Sequence, residues 1–564
     1  MSSQEPNSGN PTRKRLLTTT FVVAALGAAG VAWLLTNIMD RKQEARNPTV
    51  RVAELTEISV DPKPWGLNWP HHYDGYLATA GDEFYGGAEA MPESKLDHQP
   101  WLRRLYAGYA FSIDYREARG HAYMLYDQGV TERITQKPQA GACMHCHAST
   151  TVLWRKAGLE AMGQPADDEA LAADFNMPAV IRGFQELSRK PYQEVLAMLY
   201  SVPDGTPEDN ETVFPAPPVG GFTGEFAGKK LPEGHVLEGN VHPVTCIDCH
   251  NPTTMELRVT RPGLVLGLQA LATSDEPVPH LPSIERWRRG SQNTPYDVNK
   301  MASQNEMRSY VCAQCHVEYY CATSDVLEFP WGQGLKHDQL EAHWAAKTFP
   351  DGTAFFDYKH GETGAKVFKA QHPEFELWSQ GVHAQNGVSC SDCHMPYQTK
   401  GGTKLSDHRV DSPLNNINNA CLTCHNSSES ELLARVNTIQ QTTVDMRERA
   451  GAAVTEMFDA IMQAKAAGAT DEQLAPIFEL QSKAMWRVDY ISSENSKGFH
   501  APQEAMRALG EALDYSRKAQ AAAMLLWAPE PPSTEGLPTE PIQGVTPRAD
   551  AGEAPGGVRT AAAD

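Results

Sequence analysis

Cys143-Met-His-Cys146-His147 is the first of five pentapeptides built to one plan. The others are Cys246-Ile-Asp-Cys249-His250, Cys312-Ala-Gln-Cys315-His316, Cys390-Ser-Asp-Cys393-His394 and Cys421-Leu-Thr-Cys424-His425. Two Cys three positions apart lie on one side of a helical turn. Both sulfurs can then form thioethers with the two vinyl groups of one haem, and the adjacent His reaches the iron as an axial ligand. A zinc site would group its Cys pairs two by two, without a His behind every second Cys. The motifs use ten of the eleven Cys in the chain. That leaves no disulfide framework, and the chain reads as a cytochrome with five covalently bound haem c groups.

Five haems decide the fold class. Each is a large apolar plate that replaces part of a side-chain core, so long loops between motifs are tolerable. The expected fold is mainly α, a multihaem cytochrome c with short helices and loops around five haems and a long-helix module at the C-terminal end. Residues 46–425 carry all five motifs, with many Pro, Gly and aromatic residues and no sustained strand alternation. Within them, 203–239 is polar and rich in Gly and Pro and reads as an inserted surface loop.

Residues 426–527 read as a packing or dimerisation module of three long helices. Ser428 with Glu431 is a capping-box pattern, and a helical run follows to about Ala467, ending at Gly468. Thr470 with Gln473 repeats the pattern before a helix to about Glu494. Pro502 opens a third, ending near Trp527. Residues 528–564, rich in Pro, Gly and Ala, read as a disordered tail.

Residues 1–45 read as a tail and membrane segment. Arg13, Lys14 and Arg15 precede an uncharged stretch from Leu16 to Met39, long enough to span a bilayer as a helix. The basic cluster favours a cytoplasmic N-terminus with the rest of the chain outside. A cleaved signal peptide is the competing reading, because Ala24 to Ala32 is rich in small residues. The apolar run continues through Trp33, Leu34 and Leu35, which favours an uncleaved anchor. Both readings export the chain to the periplasm or the outer face of the cytoplasmic membrane, where this kind of haem attachment belongs.

The 564 residues allow three or four domains at ~150 each. A hydrophobic content of 41% supports a packed interior. The formal charge of −21 argues against nucleic acid as a partner. Five pairs of haem propionates would add roughly −10.

The residues around the motifs carry a resemblance. Cys312-Ala-Gln-Cys-His-Val-Glu-Tyr-Tyr320, Lys369-Ala-Gln-His-Pro-Glu374, Gly381-Val-His383 and Cys390-Ser-Asp-Cys-His-Met-Pro-Tyr397 are similar to blocks of pentahaem cytochrome c nitrite reductase, the ammonia-forming enzyme. Upstream, Ala107-Gly-Tyr-Ala-Phe-Ser-Ile-Asp-Tyr115, Arg119-Gly-His121 and 127–133 match as well. The likeness runs from about Leu105 to Trp527.

The resemblance implies roles residue by residue. The first motif would hold the catalytic haem, with His147 below the iron and the position above it open. The other four irons would each take two His ligands: His250 with His408, His316 with His121, His394 with His500, and His425 with His383. Above the catalytic iron the family places an Arg, a Tyr and a His, here Arg133, Tyr319 and His372. Arg133 would bind a nitrite oxygen and stay charged. His372 would move protons near neutral pH, and Tyr319 would donate to bound intermediates. A calcium would be held by the Glu318 carboxylate, the Gln371 side-chain oxygen and the backbone carbonyls of Tyr319 and Lys369.

Three positions stand apart. Many family members bind the catalytic iron through Lys, in a Cys-x-x-Cys-Lys motif, where this chain has His147. Cys321, the eleventh Cys, reads as a buried apolar thiol, and His145 as a structural His. The implied reaction takes nitrite to ammonium with six electrons and eight protons. Electrons would come from a membrane-bound multihaem quinol-oxidising cytochrome, and the enzyme would be a homodimer. A non-catalytic electron carrier is the rival from another class, and would need all five irons six-coordinate. A hydroxylamine-oxidising or sulfur-oxyanion-reducing multihaem protein is a second rival.

Overall fold

The structure is a computed structural model that describes residues 11–46, 51–80, 94–117, 120–137, 139–202, 225–226, 229–230, 241–321 and 326–527. Helix α1 (Pro11–Arg46) contains the span Arg15–Met39, apolar and exposed along its length. It is the one helix among the described residues long and apolar enough to cross a membrane.

The body is helical, as the motifs require. Most of its helices are one to three turns long. The only strands among the described residues form three two-stranded pairs: β1 (Glu225–Phe226) with β2 (Lys229–Lys230), β3 (Tyr358–Lys359) with β4 (Lys366–Val367), and β5 (Tyr397–Lys400) with β6 (Thr403–Ser406). Of the expected insertion at 203–239 only this first pair is described, and the tail at 528–564 lies outside the described residues.

Two helices under the first motif pack at backbone contact. In α2 (Thr151–Ala161) and α3 (Met177–Leu187), a Cβ on Gly158 would sit 1.8 Å from the Ala179 carbonyl oxygen, and one on Gly183 would sit 1.8 Å from that of Trp154. Trp154 and Phe184 are thereby brought 5.3 Å apart, and both rings pack on His145. A strap from the N-terminal side crosses this region. Glu57 accepts from Arg258 at 2.6 and 2.9 Å and pairs with Arg155 at 3.6 Å, all three buried. Removing one partner would leave a buried charge, a change that typically costs about 3–5 kcal/mol.

The C-terminal module consists of α4 (Glu429–Ala466), α5 (Asp471–Ser493) and α6 (Pro502–Met524). Both predicted capping boxes form, Ser428 with Glu431 and Thr470 with Gln473. The third helix ends at Met524, and its last residues to Trp527 continue as turns. The C-terminal half of α5 is buried on every face, from Ala484 to Ser493, which marks a helix enclosed by other elements rather than lying on a surface. It reaches into the haem-motif region through Asp489, which accepts from the Ala370 amide at 2.9 Å and from the Tyr106 hydroxyl. The module is thus anchored to the loop that presents Lys369, Gln371 and His372.

Candidate functional site

Local rules place two of the pentapeptides. Thr245 and Asp248 form a capping box around the turn Cys246–Cys249, and Ser389 with Asp392 does the same for Cys390–His394. Each box starts a helical turn at the first Cys, which sets both sulfurs on one side of it. Asp248 also pairs with buried Arg261 at 2.9 Å, and Asp392 with Arg308 at 2.6 Å. The middle acid of these motifs was a legible signal, since Thr or Ser three positions before Asp is a helix-start pattern. The motifs also touch one another. The Cys146 and Cys315 thiols are within hydrogen-bonding reach, as are those of Cys312 and Cys390. Arg261 lies beside Cys146, Cys249 and Cys315, a buried cation at the junction of three motifs that sequence reasoning did not single out.

The His residues assemble in pairs. Ring centres lie 6.2 Å apart for His250 and His408, 6.3 Å for His121 and His316, 6.4 Å for His394 and His500, and 6.3 Å for His383 and His425. A metal–nitrogen bond is roughly 2 Å, and a ring nitrogen lies a little over ~1 Å from its ring centre. Two imidazoles on one metal therefore put their centres slightly beyond ~6 Å, which these four spacings fit. Among the described residues no second imidazole stands opposite His147 at this spacing. The turn of β5 and β6 explains how His408 arrives. Gly401 and Gly402, at φ +55° and +84°, close a two-residue hairpin that returns the chain to Ser406.

Ring orientation fits metal binding too. Nδ1 of His147 lies 2.9 Å from the Met124 carbonyl, that of His250 2.9 Å from Met255, that of His394 3.0 Å from Asp411 and that of His408 3.0 Å from Ser406. An Nδ1–H given to a carbonyl leaves Nε2 with its lone pair for a metal. Burial holds these rings neutral: His147 and His394 are pushed down to about 4 and His408 to about 3. His500 differs, because its Nδ1 stands 2.6 Å from the Glu494 carboxylate.

Arg133, Tyr319 and His372 cluster around the first motif. Arg133 stacks on Phe111 at 4.1 Å and donates to Gln128 at 3.3 Å. It also lies near Tyr319 and Cys143. Gln128 additionally bonds Cys143, so it ties the guanidinium to the motif, and no sequence signal marked it. Burial raises the Tyr319 hydroxyl well above the usual phenol range, which keeps it a donor. His372 is pulled well below its ordinary value by burial and then by Lys369, His316 and His147. The expected imidazole titrating near neutrality is, in these surroundings, a neutral ring.

The four residues expected around calcium are also together. Glu318 is fully buried, and its Oε2 accepts the Gln371 amide at 2.6 Å while Oε1 has no hydrogen-bond partner. Glu376 lies beside it: its Oε1 accepts the Glu318 amide at 3.0 Å and the Trp331 indole at 2.7 Å, and its Oε2 is likewise orphaned. Burial pushes Glu376 up to about 8 and Glu318 well above the carboxylate range. Orphaned oxygens on two buried acids fit a hard cation. The Lys369 carbonyl, however, already accepts the Tyr320 hydroxyl. No group of three or more His, Cys, Asp or Glu able to hold a metal occurs among the described residues, so a cation here would depend on amide and carbonyl oxygens as well. Cys321 is half-buried against the core rather than buried. His145 is buried and accepts the Gly263 amide at 3.1 Å, a structural contact.

Comparison with known proteins now decides the family. The cytochrome c552 family model matches residues 61–163 and 226–543. The chain belongs to the cytochrome c552 family. A cytochrome c-552 from Bacteroides fragilis is 33% identical over 508 residues, covering 88% of this chain and 84% of that one. One from Parabacteroides distasonis is 32% identical over 501 residues, covering 86% and 79%. Among solved structures, the catalytic subunit of cytochrome c nitrite reductase from Desulfovibrio desulfuricans, described with two calcium sites, superposes with a TM-score of 0.60 at 25% identity. That alignment covers 84% of this cytochrome c552 chain and 87% of the other. The family match skips 164–225, a stretch that includes α3. The pair of helices that meets at Gly158 and Gly183 therefore joins a matched element to an unmatched one.

Proposed function

We propose that this cytochrome c552 is an ammonia-forming cytochrome c nitrite reductase. It would reduce nitrite to ammonium with six electrons and eight protons, releasing two waters. The observation that carries the reading is the asymmetry among the motif imidazoles. Four face a second imidazole at the spacing of one metal, and His147 faces none among the described residues while Arg133, Tyr319 and His372 gather around its motif. The ten motif Cys would hold five haem c groups, which would supply iron for nitrite binding at the first motif and electron transfer at the other four.

The chain's own residues then handle charge and protons. Arg133 donates to a nitrite oxygen and offsets its charge in a site walled by Phe111. Tyr319, kept protonated by burial, donates a hydrogen bond to the departing oxygens. His372 starts as a neutral ring, and an anion bound beside it would raise its proton affinity until it can pass protons on. Glu318, Tyr319, Lys369 and Gln371 would hold a calcium that braces the two loops bearing Tyr319 and His372. The thiol contacts between motifs one and three, and between three and four, support close haem neighbours along the electron route. The apolar helix α1 supports a location on the outer face of the cytoplasmic membrane, next to a membrane-bound quinol-oxidising multihaem donor. The long C-terminal helices support a homodimer.

Anaerobic nitrite turnover with ammonium quantified tests the reading, on protein of known haem-to-chain ratio. Arg133→Ala, Tyr319→Phe and His372→Ala should each lower turnover by roughly 10²-fold with five haems retained. Full ammonium production by all three variants would defeat the site assignment. Spectra with every iron six-coordinate would make the protein an electron carrier instead.

A further inference from the structure

The imidazole at His500 is surrounded differently from the other proposed iron ligands. His147, His250, His394 and His408 each direct Nδ1 at a neutral backbone carbonyl. His500 instead has the Oε1 of Glu494 at 2.6 Å from Nδ1, although the ring N–H is not aimed straight along that line. His316 is the other ligand near an acid, and Glu374 stands 3.9 Å from its Nδ1, beyond a hydrogen bond.

The Glu494 carboxylate is held rigidly. It is fully buried, with Oε1 accepting the Ser496 amide at 3.0 Å and Oε2 accepting the Ser496 hydroxyl at 2.8 Å. The Ser496 hydroxyl in turn accepts the His500 amide at 3.0 Å. One hydroxyl thus ties the acid to the backbone of the ligand it faces. The His500 carbonyl side is closed by Gly381, where an added Cβ would lie 1.9 Å from the His500 oxygen. Phe499 stacks on His383 at 5.9 Å, which joins this loop to the proposed ligand of the fifth motif.

We infer that Glu494 is a positioning residue that draws on the Nδ1 proton of His500 and so lowers the potential of the haem attached at the fourth motif. A carboxylate beside Nδ1–H gives the ring partial imidazolate character, and a more basic ligand favours the ferric over the ferrous state. The inference rests on the reading of His500 as the partner of His394 on one iron. The fourth motif adjoins the third through Cys390 and Cys312. A station held at low potential there does not trap electrons moving along the row.

The test is a spectroelectrochemical titration of the holoprotein, with electron paramagnetic resonance to follow each low-spin haem. Glu494→Gln should move the redox equilibrium of one haem about tenfold toward the reduced form, a rise of about 59 mV for one electron, with the other four unmoved. Glu494→Asp, which keeps the charge but draws it back, should move the same haem in the same direction by less, and it serves if the Gln variant fails to assemble. Five potentials unchanged in a folded variant would overturn the inference. His500→Gly separates it from the reading beneath it. Conversion of one low-spin haem to high spin upholds the ligand, whereas five unchanged haem signals would remove both.

Discussion

A half-buried carboxyl shows how far single residues here depend on their surroundings. Asp357 carries Oδ2 without a partner, and burial pushes it up to about 7 while a bond from Tyr109 offsets part of the rise. The folded chain therefore keeps a proton that the unfolded chain releases near pH ~3.9. Its contribution is fully present below that pH and is lost as pH rises through about 7. Asp357→Asn cannot ionise. It should match the parent in denaturant unfolding at pH 4 and exceed it by ~1–2 kcal/mol at pH 8, a figure discounted because Asp357 is only half-buried. His372 is governed by the same physics with the opposite sign. Its type announces a proton carrier, but Lys369 and burial set it neutral, and no sequence pattern encodes the low polarity that does this.

Among the elements, the helices read from sequence formed nearly where local chemistry put them. A capping box is a local device, since two residues three positions apart satisfy each other's orphan N–H groups, so Ser428 and Thr470 declared their helices without help from the rest of the fold. The contact between α2 and α3 is of the other kind. Gly158 and Gly183 were not singled out, because a glycine in a helix is ambiguous until a second helix lies against it. Gly183→Ala would drive a Cβ into the Trp154 carbonyl and should cost about 1–3 kcal/mol, seen as a lower melting temperature. Gly510→Ala in α6, where nothing lies within 4 Å of the added Cβ, should instead stabilise by about 0.5–1 kcal/mol. Equal effects of the two would mean that the helix contact is not as close as described. The aligned turn Cys246–Cys249 shows both kinds of information at once: Thr245 and Asp248 start it locally, and Arg261, reaching from outside the turn, fastens it.

At the level of the whole molecule, the proposed function gives the apolar helix and the body that carries the five motifs separate tasks. Helix α1 is exposed along its apolar span and is joined to the body through residues 47–50. Removing residues 1–46 while supplying a cleavable export signal should shift the protein from the membrane to the soluble fraction. Nitrite turnover with a small artificial reductant should persist, and turnover driven by membrane quinol should fall. Equal quinol-driven rates in the two forms would show that anchoring plays no part in electron delivery.

The amino-acid sequence by itself determined the number of haem attachment sites, the motif imidazoles, the long C-terminal helices and the apolar N-terminal span. Each is written in spacings of a few residues, and the forces behind them act between near neighbours in the chain. Tertiary structure decided which imidazole meets which. His121 and His316 are 195 positions apart, and His250 and His408 are 158 apart, so their meeting is a matter of packing, and in the sequence only the family likeness suggested it. It decided as well that His500 faces a carboxylate, that Gln128 steadies Arg133 and that Glu318 and Glu376 share one buried site. Those outcomes arise from charges and hydrogen-bonding groups pressed together out of water, where a polar group must find whichever partner the fold brings within reach.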